Sequence, residues 1–383
     1  MKITDIKLYT VPVRFLFLKI ETDEGICGWG EPLVEGRADT VRAAVLEWKD
    51  FLIGRDPLKV EEIWQSMYRG AFYRGGPVLM STMAGIDQAL WDIRGKYYNA
   101  PIHRLLNGGV KERVMVYRSV CDGTLQEQIE DAKRLKTQGY RLLKTSPQQA
   151  MHYLDSFEKV EEVAQRIAAL KQAVGEEVSI AIDFHGRIHK PMARRLAQAL
   201  APYHLAFYEE PVLPENNEAL DIIRTVSETP IASGERMYSR WDFKGALAAG
   251  RIDILQPDLS HAGGISECMR IGAMAEAYDS ALAPHCPLGV IAFAACIQLD
   301  AACANSVFQE QSVGIHDTSA ANPMMQWLKN PDVFQYSDGF VRVPQGPGLG
   351  IEIDEEKVIE ADKHPHNWKN PMWHTYDGAP IEW

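Results

Sequence analysis

Cysteine is scarce and unpaired in this sequence. The six residues Cys27, Cys121, Cys268, Cys286, Cys296 and Cys303 form no CxxC pair, so neither a disulfide framework nor a thiolate zinc site is expected. They lie among Ala, Ile and Met, where cysteine behaves as a small apolar residue, and a reduced, cytoplasmic setting fits them. Long apolar runs are also missing. The longest, "GVIAFAACIQLDAACA", is interrupted by Gln298 and Asp300 and is too short to span a bilayer. The opening "MKITDIKLYT" alternates polar and apolar residues and lacks the apolar stretch of a secretory signal. Basic charge is in deficit, with 40 Lys and Arg against 52 Asp and Glu and a net charge of −12. Such a surface repels phosphate backbones and anionic lipid, which argues against nucleic-acid and membrane partners. No GxGxxG follows an early strand, so a dinucleotide-binding fold gains no support, and no segment is of low complexity.

What is present falls into two patterns. Residues 1–112 begin with strand-like runs, "ITDIKLYTV" and "FLFLKIETDEGICGWGE". Helical periodicity follows in "ADTVRAAVLEWKDFLIG", "PLKVEEIWQSMYRG" and "LMSTMAGIDQALWDIRGKYY", as in a small α+β unit. From residue 113 eight short apolar runs alternate with amphipathic helical stretches: "VMVYRSV", "YRLLKTS", "VSIAIDF", "LAFYEE", "PIASGE", "DILQPD", "SALAPH" and "SVFQEQ". Eight such units predict a closed (β/α)8 barrel, with an open doubly wound parallel sheet as the alternative. The tail from residue 316 is rich in Pro, Gly and Trp, with one strand-like run, "GFVRV".

Several of these runs end in an acid. Asp183, Glu209 and Glu235 follow one another at intervals of 26 residues, one βα unit each. Neighbouring barrel strands bring their C-terminal ends together, so the three carboxylates should meet on one rim. Alone, each acid is more simply a helix cap or an arginine partner. Three in register would repel one another unless a cation joined them, and an all-oxygen set suits Mg²⁺. Glu210 should alternate to the other face.

The histidines sort by position. His103, His152, His204 and His316 read as structural, while His189 and His261 stay open. His185 stands two residues beyond Asp183, and strand alternation would put both on one side. His285, in "LAPHCPLG", ends the seventh run. Asp258, in "LQPDLSHAGG", ends the sixth and should lie beside it, fixing the imidazole tautomer. Glu310, in "FQEQ", closes the ring. Lys144, in "KTS", could hold a substrate carboxylate or merely neutralise the acids.

The acid series, His185, "GERMYSRWDF", "ILQPDLSHAGGI", "LAPHCPLG" and "QEQS" resemble the enolase superfamily in its mandelate racemase branch. The likeness runs nearly end to end, and "DFHG" with "APHCPLG" resembles the sugar-acid dehydratases within that branch. The resemblance implies a modified barrel of the (β/α)7β type at 113–315. An α+β capping domain would be formed by 1–112 and completed by 316–383. It implies Asp183, Glu209 and Glu235 as Mg²⁺ ligands, His285 oriented by Asp258 as the base, and His185 as the acid for a departing β-hydroxyl. Glu310 would stabilise the enediolate. The substrate would be an acid sugar, D-galactonate first, and the protein a homo-oligomer of eight copies or fewer. Where racemases of this branch carry Lys-x-Lys, this chain reads Lys144-Thr145-Ser146, so no second lysine base stands at Ser146. Lys144 and Ser146, with Arg14 and Tyr73 from the cap, are the expected substrate contacts. "YRSVCDGT" and "PQQAMHYLD" depart from the dehydratase pattern. Dehydration of another aldonate or an aldarate, epimerisation, and sugar-acid binding without catalysis remain as alternatives.

Overall fold

A computed structural model describes residues 1–147, 151–319 and 321–383. The first three strands, β1 (Ile3–Val11), β2 (Phe15–Thr22) and β3 (Cys27–Gly30), form an antiparallel sheet with β2 at its centre. Nearly every residue of "FLFLKIET" is buried, as a central strand covered on both faces requires. The helix Pro77–Tyr97 lies against this sheet. Gly30 permits that approach, because a Cβ there would overlap the Gly85 carbonyl oxygen.

The eight alternating runs become eight parallel strands. They are β4 (Arg113–Ser119), β5 (Leu142–Thr145), β6 (Ser179–Asp183), β7 (Tyr208–Glu209), β8 (Ile231–Ser233), β9 (Ile254–Leu255), β10 (Ala281–Leu282) and β11 (Gln309–Glu310). Each pairs with the next from β4 to β10. β11 pairs with β4, and a bridge from Leu282 to Ser306 closes the circle. A helix follows each strand except β11, which gives the (β/α)7β barrel. Tyr117, Leu142, Ala181, Phe207, Ala232, Ile254 and Ala283 fill its interior below the acids, aromatic rings against small side chains.

Buried polar contacts bolt the N-terminal unit to the barrel. Trp64 Nε1 donates to the Gly263 carbonyl at 2.8 Å, and Trp91 Nε1 to Ser266 Oγ at 2.8 Å. Asp87 accepts from the Ser266 amide at 3.0 Å. Glu31 reaches the first turn of the helix Val290–Ala302, accepting from the Gly289 and Ala292 amides at 2.8 and 3.0 Å. A carboxylate suits that helix N-terminus, where free N–H groups point outward.

The tail divides its contacts. β12 (Tyr336–Ser337) and β13 (Phe340–Arg342), the latter from "GFVRV", form a hairpin whose second strand lies antiparallel to the start of β4. The helix Glu355–Asp362 instead packs on β1, where Glu355 pairs with Lys19 Nζ at 2.8 Å. A last hairpin, β14 (Trp373–His374) with β15 (Pro380–Ile381), completes the tail. Among the described residues no helix is long and apolar enough to cross a membrane.

Candidate active site

The acids meet as their spacing predicts. Asp183 and Glu209 are register partners on β6 and β7, and Glu235 lies two residues beyond β8. One oxygen from each of the three comes within 4.8 Å of the others. Lys144, on β5, sends its buried ammonium among them: Nζ stands 3.2 Å from Asp183, 2.7 Å from Glu209 and 2.6 Å from Glu310. One ammonium cannot balance these carboxylates. Burial and the neighbouring Asp183 charge push the Glu209 carboxyl well above its ordinary range. Burial acts the same way on Asp183, but the His185 and Lys144 charges overcome it and hold that carboxyl at about 2. Glu209 Oε2 is buried with no hydrogen-bond partner. An all-oxygen donor set with an unsatisfied buried oxygen fits a hard divalent cation such as Mg²⁺. Glu210 is not one of the three. It turns to Arg236, whose Nε donates to it at 2.8 Å.

His185 does reach Asp183, but not by strand alternation. β6 stops at Asp183, and His185 has φ +53, in the left-handed region. A tight turn brings the imidazole back: the His185 amide donates to Asp183 Oδ1 at 2.7 Å, and Nε2 lies 3.2 Å from Oδ2. Gly186 makes that turn possible, having φ +51 and standing where a Cβ would overlap Arg236 Nη2. The same Nη2 donates to the His185 carbonyl at 2.8 Å and pins the turn.

His285 and Asp258 form the expected pair, with Nδ1 and Oδ2 2.8 Å apart. His285 Nε2 faces Glu235 at 3.6 Å and Glu310 at 3.9 Å. Glu310 itself accepts from the Cys286 amide at 3.0 Å. β6 and β10 are four strands apart in an eight-strand barrel, so the two imidazoles approach from opposite walls. Burial pushes the His185 pKa down. Burial alone would do the same to His285, but the Glu235, Asp258 and Glu310 charges outweigh it and raise that pKa well above the ordinary value. Glu235 is the largest single cause of the rise, so a cation drawing on Glu235 lowers the His285 pKa toward that of a usable base.

These groups open on a cavity of about 830 Å³. Lys144, Ser146 and Arg14 line it, as do Asp183, His185, Glu235, His285 and Glu310, while Glu209 and Asp258 lie buried beneath. Arg14 Nη2 donates to the Pro287 carbonyl at 3.1 Å. Tyr73 does not belong to the wall. It is 83% exposed on the loop before Gly75 and Gly76, its ring edge-on to Phe72, and Pro77 of the same segment lines the cavity. Of the two divergent stretches, Ser119, Val120 and Asp122 border the cavity, whereas Gln148–Ala150 lie outside the described residues.

Sequence reasoning missed Glu35, Arg187, Trp373 and Trp383 as wall residues and left His261 open. Glu35 and His261 meet across the junction of cap and barrel, Oε2 to Nε2 at 3.3 Å. His189, left open above, stacks on Tyr153 with ring centroids 3.5 Å apart and faces Glu382. Arg187, Trp373 and Trp383 line the cavity as well. Arg187 falls two positions beyond His185 in "DFHGR", a signal that could have drawn attention to it. No periodicity marks the tail tryptophans.

The arrangement defines an acid-lined (β/α)7β barrel with two opposed histidines, and comparison with known proteins agrees. Residues 9–107 match the N-terminal domain of mandelate racemase and muconate lactonizing enzyme, and residues 127–357 match the enolase C-terminal domain-like family. The chain belongs to the enolase superfamily, in its mandelate racemase and muconate lactonizing enzyme branch. It is 49% identical to a D-galactonate dehydratase of Ralstonia nicotianae over 383 residues, the full length of both. An enolase from Agrobacterium radiobacter, solved with sodium and L-malate bound, superposes with a TM-score of 0.91 at 28% identity and covers 100% of each chain. The 3,6-anhydro-D-galactonate cycloisomerase of Zobellia galactanivorans gives 0.83 at 28% identity, over 94% of this chain and 99% of its own.

Proposed function

We propose that this chain is a Mg²⁺-dependent lyase that dehydrates D-galactonate to a 2-keto-3-deoxy sugar acid. One observation carries the reading: two imidazoles, each with its own carboxylate partner, face the acid cluster from opposite walls. Elimination needs one group to take the α-proton and another to protonate the departing hydroxyl. The full-length likeness to a D-galactonate dehydratase supports the choice of substrate.

The residues divide the work by geometry. Asp258 accepts the Nδ1 hydrogen of His285, which leaves the Nε2 lone pair facing the cavity for the α-proton. That proton is far too weakly acidic for an unaided imidazole of pKa about 6.5. Asp183, Glu209 and Glu235 would hold Mg²⁺, which would supply the positive charge that offsets negative charge developing on the substrate carboxylate. Lys144 adds a fixed positive charge on the same side, 2.6 Å from Glu310, and Glu310 would need a shared proton to hydrogen-bond the substrate carboxylate. His185 gives its Nε2 proton to the β-hydroxyl. The carbon–oxygen bond breaks, water leaves, and the enol tautomerises to the ketone. Because Ser146 replaces a second lysine base, epimerisation is the less favoured outcome.

A panel of acid sugars incubated with Mg²⁺ and with chelator tests the reading by carbonyl assay. 2-keto product from D-galactonate supports it. Product only from another aldonate or an aldarate moves the substrate, and solvent deuterium uptake without dehydration moves the reaction to epimerisation. Equal turnover by wild type and His285→Asn would overturn the mechanism.

Three further features belong to the same reading. The cap comprises 1–112 and 316–383 around a barrel at 113–315. The protein works in the cytoplasm. It assembles as a homo-oligomer of eight copies or fewer, and the exposed Phe72 and Tyr73 are apolar surface such assembly could cover. Light scattering on the purified protein tests the last.

A further inference from the structure

Arg187 is anomalous among the charged groups of the cavity. Its neighbour Arg236 is held by Glu210 and by the His185 carbonyl. Among the described residues Arg187 makes no ion pair or side-chain hydrogen bond, and its Nε is buried without a partner. Leaving a buried donor unsatisfied is costly, and one that faces a cavity can be satisfied by a bound ligand. The side chain is nevertheless held. The guanidinium lies over the Trp373 ring at 4.8 Å and beside the Trp383 ring at 6.0 Å, and both indoles also line the cavity. Stacking of this kind orients the planar fork while leaving its edge N–H groups free.

We infer that Arg187, aimed by Trp373 and Trp383, binds the oxygen-bearing far end of the substrate and so determines which acid sugars are accepted. The inference rests on the proposed dehydration, which fixes how the substrate lies. Its carboxylate sits at the acid cluster and Glu310, its α-carbon at His285 and its β-carbon at His185. The carbons beyond the third therefore leave past His185, toward the turn that carries Arg187. Guanidinium offers donors only, so its partner must be acceptor oxygens. These are the distal hydroxyls of an aldonate or the terminal carboxylate of an aldarate. The indole faces suit the C–H edges of the same carbons. Arg187 touches no reacting atom, and the tryptophans are positioning residues acting through it.

The test measures kcat and KM, with binding by calorimetry in Mg²⁺, for D-galactonate, galactarate and the four-carbon L-threonate. The proteins are wild type, Arg187→Gln, Arg187→Lys, Trp383→Ala and Trp383→Phe. Arg187→Gln should weaken D-galactonate binding by about 10- to 100-fold, the scale of a hydrogen bond to a charged group, with the loss in KM and kcat nearly kept. L-threonate, which ends short of Arg187, should bind equally to wild type and variant. Trp383→Phe should keep most of the affinity that Trp383→Ala loses. A larger loss for galactarate than for D-galactonate identifies a distal carboxylate as the partner, and the reverse identifies hydroxyls. Unchanged D-galactonate binding, or an equal loss for L-threonate, overturns the inference. Wild type that binds these acids without dehydrating any of them overturns the proposed reaction and leaves the Arg187 comparison readable by calorimetry.

Discussion

His285 Nδ1 and Asp258 Oδ2 stand 2.8 Å apart, and the two residues also form a backbone bridge between neighbouring strand ends. The side-chain contact is therefore a consequence of sheet register. Asp258→Asn would put an amide where the imidazole N–H needs an acceptor and would favour the wrong tautomer. The expected result is a fall in kcat of about 10²- to 10⁴-fold, with KM changed little. Steady-state kinetics on the folded variant checks this, and a wild-type kcat would remove Asp258 from the mechanism.

His185→Asn should separate the two halves of the reaction. Proton abstraction by His285 survives, while the hydroxyl loses its proton donor. Solvent deuterium should enter at the α-carbon of recovered substrate while dehydration falls by about 10²-fold or more. Proton NMR of the substrate in deuterium oxide reads both. Loss of exchange along with dehydration would give His185 a different role.

Mg²⁺ should stabilise the fold as well as support turnover. A ligand binding only the native state at 100 times its Kd adds about 2.7 kcal/mol. A thermal melt should therefore shift upward with added Mg²⁺ and return with chelator. Glu209→Gln, which alters the acid whose Oε2 lacks a partner, should abolish that shift. An undiminished shift in the variant would mean the ion binds elsewhere.

Gly186→Ala should damage the site through geometry alone. The new Cβ meets a backbone at φ +51 and the Arg236 guanidinium, so the turn that carries His185 must move. A stability loss of about 1–3 kcal/mol is expected, with a larger proportional loss of activity. Chemical denaturation and kinetics on one preparation measure the two effects. Native activity at unchanged stability would show that the turn tolerates a side chain.

Asp300 gives a pH prediction away from the active site. It is buried on the helix Val290–Ala302, accepts from Ser306 Oγ at 2.6 Å, and has an Oδ2 without a partner. Burial raises its pKa from 3.8 to about 7. Between those values the folded protein keeps a proton that the unfolded chain releases, so this residue's contribution to stability falls as pH rises through that window and is fully lost above it. Asp300→Asn cannot ionise and still offers an oxygen to Ser306. Its gain over wild type should be near zero at pH 4 and grow to at most roughly 4 kcal/mol at pH 8, taking 1.36 kcal/mol per pKa unit. Denaturation midpoints at several pH values decide it, and a pH-independent difference would refute the assignment.

The eight apolar runs, the acids 26 residues apart and the Asp258–His285 adjacency were legible because a parallel barrel is nearly periodic along the chain. One βα unit in sequence becomes one strand in space. Where that periodicity ended, reading by pattern became less secure. His185 was assigned to a strand face, yet the strand had already stopped, and Gly186 and Arg236 turn the backbone there instead. Tyr73 was expected from the cap as a substrate contact, but its ring points outward and is exposed.

The amino-acid order by itself determined the barrel, the acid rim and the place of His285 beside Asp258, since these follow from local alternation and repeat length. Only the folded chain decided that Lys144 sits among the acids, that Glu35 meets His261, and that Trp373 and Trp383 flank Arg187 almost two hundred residues earlier. Such meetings depend on how cap, barrel and tail pack together. Packing is set by the whole surface each unit buries, and no short stretch of sequence carries that information.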